Sequence, residues 1–183
     1  MRYSGRVLIT AVAALMVAGG CVSSKPPTTP TPTPAPAFNI ELKADKPVYR
    51  AGEFIYITVR ATQECFLSVY DISTLGEVTQ IFPNRYAADN KIQGNIAYRI
   101  PAASDKFDFE VTGPPGTERV RAVCTKQNVN LFKDRQLKSD SSEIQVFPQI
   151  SDKQAPFEKD LENQKNQVPS NQWTEASITF QVQ

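Results

Sequence analysis

The chain has 183 residues, with 20 basic and 19 acidic side chains, a formal net charge of +1 and no histidine. Near-neutral charge argues against a nucleic-acid binder, which needs a basic excess to displace phosphate counterions, and against a polybasic membrane-surface module. Without histidine the commonest general base and zinc ligand are missing, and Ser-His-Asp and Cys-His triads are excluded. No catalytic residue, metal ligand set or cofactor is therefore expected.

The first segment reads as an export signal. Arg2 and Arg6 form a positive start, and Val7 to Val17 is an apolar run too short to span a bilayer as a stable helix. Ala18, Gly19 and Gly20 then lead into Cys21. This resembles the lipobox of bacterial lipoproteins, with Ala18 standing where that family usually has Leu. The resemblance implies cleavage before Cys21, a lipid on that cysteine and membrane attachment through it. An ordinary secretory signal with a coincidental cysteine is the alternative. Val22, where inner-membrane lipoproteins often carry Asp, leans on the same resemblance towards the outer membrane. Val22 to Ala37 holds six prolines among Thr and Ala, which favours extended polyproline II. Such a stalk can hold a domain up to roughly 50 Å from the membrane. The expected organisation is a signal peptide over 1–20, a lipidated linker over 21–37 and one domain over 38–183.

From Phe38 onward, strand patterns dominate. Phe38, Ile40 and Leu42 alternate with polar residues, and a turn follows at Asp45 to Pro47. Glu53 to Arg60 is rich in β-branched and aromatic residues, with Ile55, Ile57 and Val59 on one face. Cys65 to Ile72, a turn at Ser73 to Gly76, and Glu77 to Phe82 predict a hairpin. A strand is expected over Ile92 to Ile100, another over Lys106 to Val111, a turn at Gly113 to Gly116 and a strand over Thr117 to Thr125. The stretch 126–172 is irregular, and Phe157 and Leu161 suggest one short amphipathic helix near 156–166. Glu175 to Val182 closes the chain as a strand, with Trp173 as its packing anchor. The fold class is all-β: an antiparallel β-sandwich, immunoglobulin-like or a related Greek key, with at most one short helix. A partly open barrel is the runner-up.

Cys65 shares its strand face with Leu67 and Val69, and Cys124 shares its face with Val120 and Ala122. Both point into one core, as a disulfide or as two buried thiols. The loop from Asn84 to Asn95 offers Asn84, Tyr86, Asp89 and Asn90 as a candidate ligand face. Its oxygens suit calcium and its Tyr86 with amides suits a sugar, although such residues also serve ordinary turns. Lys126, Lys133, Arg135 and Lys138 gather in one polar segment, either a solvated loop or a contact for an acidic partner. No pair of acids has a spacing that identifies a glycosidase dyad; a hydrolase would need a concave pocket with two converging acids.

Several pieces resemble a bacterial family of unknown function, DUF4384: Asp45 to Glu53, Cys65 to Asp71, Gly76 to Val78, Ile81 to Asn84 and Gly116 to Ala122. The resemblance implies a β-rich envelope module, often in lipoproteins, and supplies no activity or catalytic residue. The expected function is a non-enzymatic accessory or adaptor domain for another envelope protein, tethered by Cys21. The alternative is a surface-exposed glycan- or matrix-binding lipoprotein.

Overall fold

The computed structural model describes residues 37–129, 131–132 and 146–183. The expected signal peptide, Cys21 and all but the end of the linker lie outside the described residues, as do Lys133, Arg135 and Lys138. Two long strands organise the rest: β5 (Cys65–Ile72) and β10 (Gly116–Thr125), paired antiparallel over seven positions. They form the centre of a seven-stranded sheet. Outward from β5 lie β6 (Val78–Phe82) and β11 (Gln149–Ser151); outward from β10 lie β12 (Trp173–Val182) and β2 (Val48–Tyr49). The short β7 (Lys91–Ile92) also pairs with β5. All these pairings are antiparallel except β12 with β2.

A second, three-stranded sheet has the order β1 (Ile40–Ala44), β4 (Ile57–Ala61) and β8 (Ala97–Ile100). Its alternation is read directly from the sequence, since Ile40, Leu42, Ile57 and Val59 are buried while their neighbours face water. These side chains pack against Leu67, Val69, Val120, Ala122 and Phe180 of the large sheet, making the sandwich core. There is no barrel.

The large sheet is covered on its other face too. There Tyr70, Ile72, Val78, Val123, Ile150 and Trp173 meet Leu131, Phe132 and the helix α1 (Gln154–Lys165). The helix buries Phe157 and Leu161 at 1% exposure each, the two residues its sequence pattern picked out. Burial of this kind stabilises by about 1.5–3 kcal/mol per side chain. Ion pairs pin its polar side: Arg121 of β10 reaches Glu158 of α1 and, at 2.9 Å, Glu175 of β12, which also meets Lys165 at 3.0 Å.

Three strand expectations are corrected. The stretch Glu53 to Arg60 divides at Tyr56 into β3 (Phe54–Ile55) and β4, which belong to different sheets. The stretch Ile92 to Ile100 is not one strand: β7 joins the large sheet and β8 the small one. The chain crosses between them through Gly94 and Asn95, which has a positive φ of 64°. A Cβ at Gly94 would lie 2.9 Å from the Gln63 backbone, so the crossing needs a glycine. In Lys106 to Val111 only β9 (Phe109–Glu110) is laddered, against β3 (Phe54–Ile55). This ribbon is extended by Gly52 N–H to Val111 O at 2.8 Å and Val111 N–H to Glu53 O at 2.9 Å. It stands apart from both sheets and walls the cleft described next.

Candidate functional site

Along β5 the period of two puts Cys65, Leu67, Val69 and Asp71 on one face; along β10 it does the same for Glu118, Val120, Ala122 and Cys124. The register sets Cys124 opposite Leu67 and Val120 opposite Asp71. Cys65 and Cys124 are therefore diagonal neighbours across the ladder, and Asp71 and Glu118 hold the same diagonal relation at its far end. At the first end the cysteines form a disulfide, with Cα atoms 5.6 Å apart. The bridge lies within one sheet and faces the core, as the phase of the two strands anticipates. At the second end two carboxyls occupy the equivalent places.

Those carboxyls sit in a cleft of about 390 Å³. Its apolar floor includes Ile57, Ile81, Val120 and Phe180, and its walls come from the β3–β9 ribbon, the Ser73–Glu77 turn and Phe147. Glu77, Asp108 and Glu110 add three more carboxylates, all on exposed residues, and among the described residues no lysine or arginine lines the space. The turn is held by Ser73, whose hydroxyl accepts the N–H groups of Leu75 and Glu77 while its carbonyl accepts that of Gly76 at 2.9 Å. Gly76 adopts a φ of 83°, which a side chain would oppose.

Glu118 is only 6% exposed, and its carboxylate accepts the backbone N–H of Thr74. Gly113 makes room for it: a Cβ there would lie 2.7 Å from Glu118 Oε1 and 3.1 Å from Thr74 Oγ1. The Thr74 hydroxyl is buried with no hydrogen-bond partner in the protein. Burial raises the Glu118 pKa, against the opposing Thr74 N–H. Asp71 opens onto the cleft. Desolvation, and then the neighbouring Glu118 charge, push it from the ordinary 3.8 up to about 7. Near neutrality Asp71 is thus close to its titration point.

A cluster of aromatic rings stands at the rim. Tyr86 stacks on Phe107 with ring centroids 6.0 Å apart, Phe107 meets Phe109 and Phe147 at 5.4 and 5.6 Å, and the last two meet each other at 5.5 Å. Phe109 and Phe147 also line the cleft, while Tyr86 is 61% exposed.

Of the ligand face expected in the Asn84–Asn95 loop, Tyr86 and Asp89 are exposed while Asn84 and Asn90 are buried. Asn84 is buried: its amide donates to Ile81 O at 2.8 Å, and its oxygen accepts the N–H groups of Tyr86 and Ala87. Asn90 is buried as well and donates to Leu67 O at 3.0 Å. Asp89 accepts the Lys91 N–H at 3.1 Å. The two amides hold the loop and are not brought together with Tyr86. Lys126 donates to Glu64 O at 2.7 Å and lies over the Phe38 ring. Among the described residues no group of three or more histidine, cysteine or acidic side chains is placed to hold a metal ion. The cleft acids are thus spread around a space rather than converging on a point.

Sequence reasoning missed Asp71 and Glu118, although the signal was present. The alternation that turns the cysteines inward, continued along each strand, turns these two acids inward as well.

Residues 48–128 match the family described as a domain of unknown function (DUF4384). The chain thus carries a DUF4384-like domain, and the matched stretch, from β2 to just beyond β10, holds both ends of the β5–β10 ladder. No curated protein and no solved structure matches the chain.

Proposed function

We propose that the protein is a lipid-anchored accessory module of the bacterial cell envelope, attached through Cys21, whose sandwich binds another envelope protein without catalysing a reaction. The observation that carries this reading is the cleft: five acidic side chains, no lining cation among the described residues, and an aromatic rim whose Tyr86 is exposed. Aromatic residues are enriched at protein contacts, and one-signed charge selects partners and speeds their encounter. The anchor and the Pro/Thr stalk confine the cleft to a shell near the membrane and raise its effective concentration for membrane partners. The Asp71–Glu118 pair suits binding better than glycoside hydrolysis. Glu118 is almost closed off and braced by Thr74, whereas a glycosidase acid must meet the scissile oxygen.

The test places a photo-crosslinking residue at Leu75, an exposed cleft residue, and at Lys43, exposed on the small sheet. In cells, Leu75 is expected to capture one envelope protein and Lys43 none. Equal capture at both, or none at either, counts against the reading. Replacing Cys21 by Ser is expected to release the protein into the soluble fraction, and retention would sink the lipid anchor. A second reading, glycan or matrix binding on the cell surface, rests on the exposed Tyr86 ring. Digestion of the domain by protease on intact cells, together with retention on polysaccharide lost in Tyr86→Ala, would favour it.

A further inference from the structure

We propose that the cleft seats a basic side chain, arginine or lysine, presented by an extended segment of the partner protein. This rests on the adaptor reading and names the chemistry that the partner must bring. Asp71 and Glu118 lie side by side at the floor, with Glu77, Asp108 and Glu110 around the opening. Among the described residues none that lines the cleft carries a positive charge, so the acids repel one another and only backbone N–H groups, such as that of Thr74 on Glu118, oppose the repulsion. An incoming ammonium or guanidinium removes that repulsion and forms charge-assisted hydrogen bonds.

Three further features fit a long basic side chain. The apolar floor of Ile57, Ile81 and Phe180 can pack its methylene stem. Phe109 and Phe147 at the rim offer ring faces to a cation. The buried Thr74 hydroxyl, unpaired within the protein, adds an unused polar group at the same floor. The volume of about 390 Å³ stands at the small end of ligand-site sizes and suits one long side chain with its flanking backbone. A bare metal ion fits worse, because no three acids among the described residues converge. Phosphate-bearing ligands are repelled.

The experiment uses the full chain purified in detergent, ¹⁵N-labelled, with the amide signals of Gly113 and Gly116 reporting on the cleft. The probes are acetyl-Leu-Arg-Leu-amide, its lysine and citrulline counterparts, and spermidine. Saturable shifts are expected with the arginine and lysine peptides. The citrulline peptide, which keeps the shape and loses the charge, is expected to bind about tenfold more weakly or worse. Asp71→Asn and Glu118→Gln are each expected to weaken the arginine peptide by about tenfold while the protein stays folded by circular dichroism. Glu64→Gln, at the separate Lys91 ion pair, should change nothing. Equal binding of the citrulline peptide, undiminished binding by a folded Asp71→Asn protein, or no saturable shift with either cationic peptide overturns the proposal. Spermidine binding without peptide binding overturns it too, in favour of a free polycation site. If the peptides fail while the Leu75 crosslink still captures a partner, the adaptor reading survives and only this inference falls.

Discussion

The two ends of the β5–β10 ladder have the same geometry and opposite energetics. At one end the inward diagonal pair is Cys65–Cys124, joined covalently and buried to 1% exposure or less. At the other the same diagonal holds Asp71 and Glu118, two acids that repel each other beside an open cleft. The backbone therefore does not distinguish the disulfide end from the end that lines the cleft. The side chains do: one end is closed by a bond, and the other holds two acids whose ionisation burial opposes. Two kinds of residue in equivalent places teach that one pair of strands can gain stability at one end and give it up at the other.

The sharpest way to break the comparison is to remove the bond. Replacing Cys65 and Cys124 together by Ala opens a loop with a sequence separation of 59. The expected loss is about 4 kcal/mol in the chain-entropy model, read as a lower midpoint in urea unfolding. An unchanged midpoint would mean that the bridge constrains nothing that folding does not already constrain.

Neutralising the other end should act in the opposite direction and only above acid pH. Asp71 faces Glu118, Glu77, Asp108 and Glu110 with no cation among the described cleft residues, and its pKa is raised from 3.8 to about 7 in the folded protein. Between those values the folded state holds a proton that the unfolded state has lost, so stability falls as pH rises from about 4 to about 7 and then levels. Below that window the group is protonated in both states and contributes no penalty. Asp71→Asn should therefore stabilise the protein by up to a few kcal/mol at pH 8 and hardly at all at pH 4. Urea midpoints of the parent and the variant at those two pH values decide it. A variant that is no more stable at pH 8 would show that the cleft solvates the carboxylate well.

Gly113→Ala sharpens the same point more gently. The new methyl would press on Glu118 Oε1 at 2.7 Å, and either the carboxyl or the turn must give way. A loss of about 1–2 kcal/mol is expected, together with weaker binding of any cleft ligand. Unchanged stability and binding would show that the Glu118 side chain moves aside freely.

How much of this was legible follows from the same strands. The small sheet, the central hairpin and the helix around Phe157 and Leu161 could be read, because each buries one face and the apolar period of two or 3.6 marks it. The splitting of Ile92 to Ile100 between two sheets was not legible; it depends on a left-handed turn at Asn95 and close backbone approach at Gly94, which carry no periodic signal. The second buried face of β5 was hidden because nothing in the strand's own pattern announces the helix that covers Tyr70 and Ile72. The cysteine pair stood out as chemistry and the acid pair did not, since Asp71 and Glu118 end their strands beside turn residues and pass for solvated strand ends. Of the loop Asn84 to Asn95, composition suggested a ligand face. Only the fold shows that Asn84 and Asn90 spend their amides on Ile81 and Leu67 carbonyls.

Tyr86 offers the smallest effect on stability and the cleanest separation of the two roles. Its ring touches Phe107 on one side and is 61% exposed, so truncation removes little buried area and should cost no more than about 0.5 kcal/mol. If the rim aromatics meet the partner, Tyr86→Ala should nonetheless weaken the Leu75 crosslink several-fold while the urea midpoint stays within error. The Cys65 and Cys124 variants should do the reverse, losing stability while any molecules still folded keep the crosslink. The two outcomes together would assign one end of the ladder to holding the fold and the other to meeting the partner. If Tyr86→Ala left the crosslink intact and the cysteine variant abolished it in folded protein, the contact would lie at the disulfide end instead.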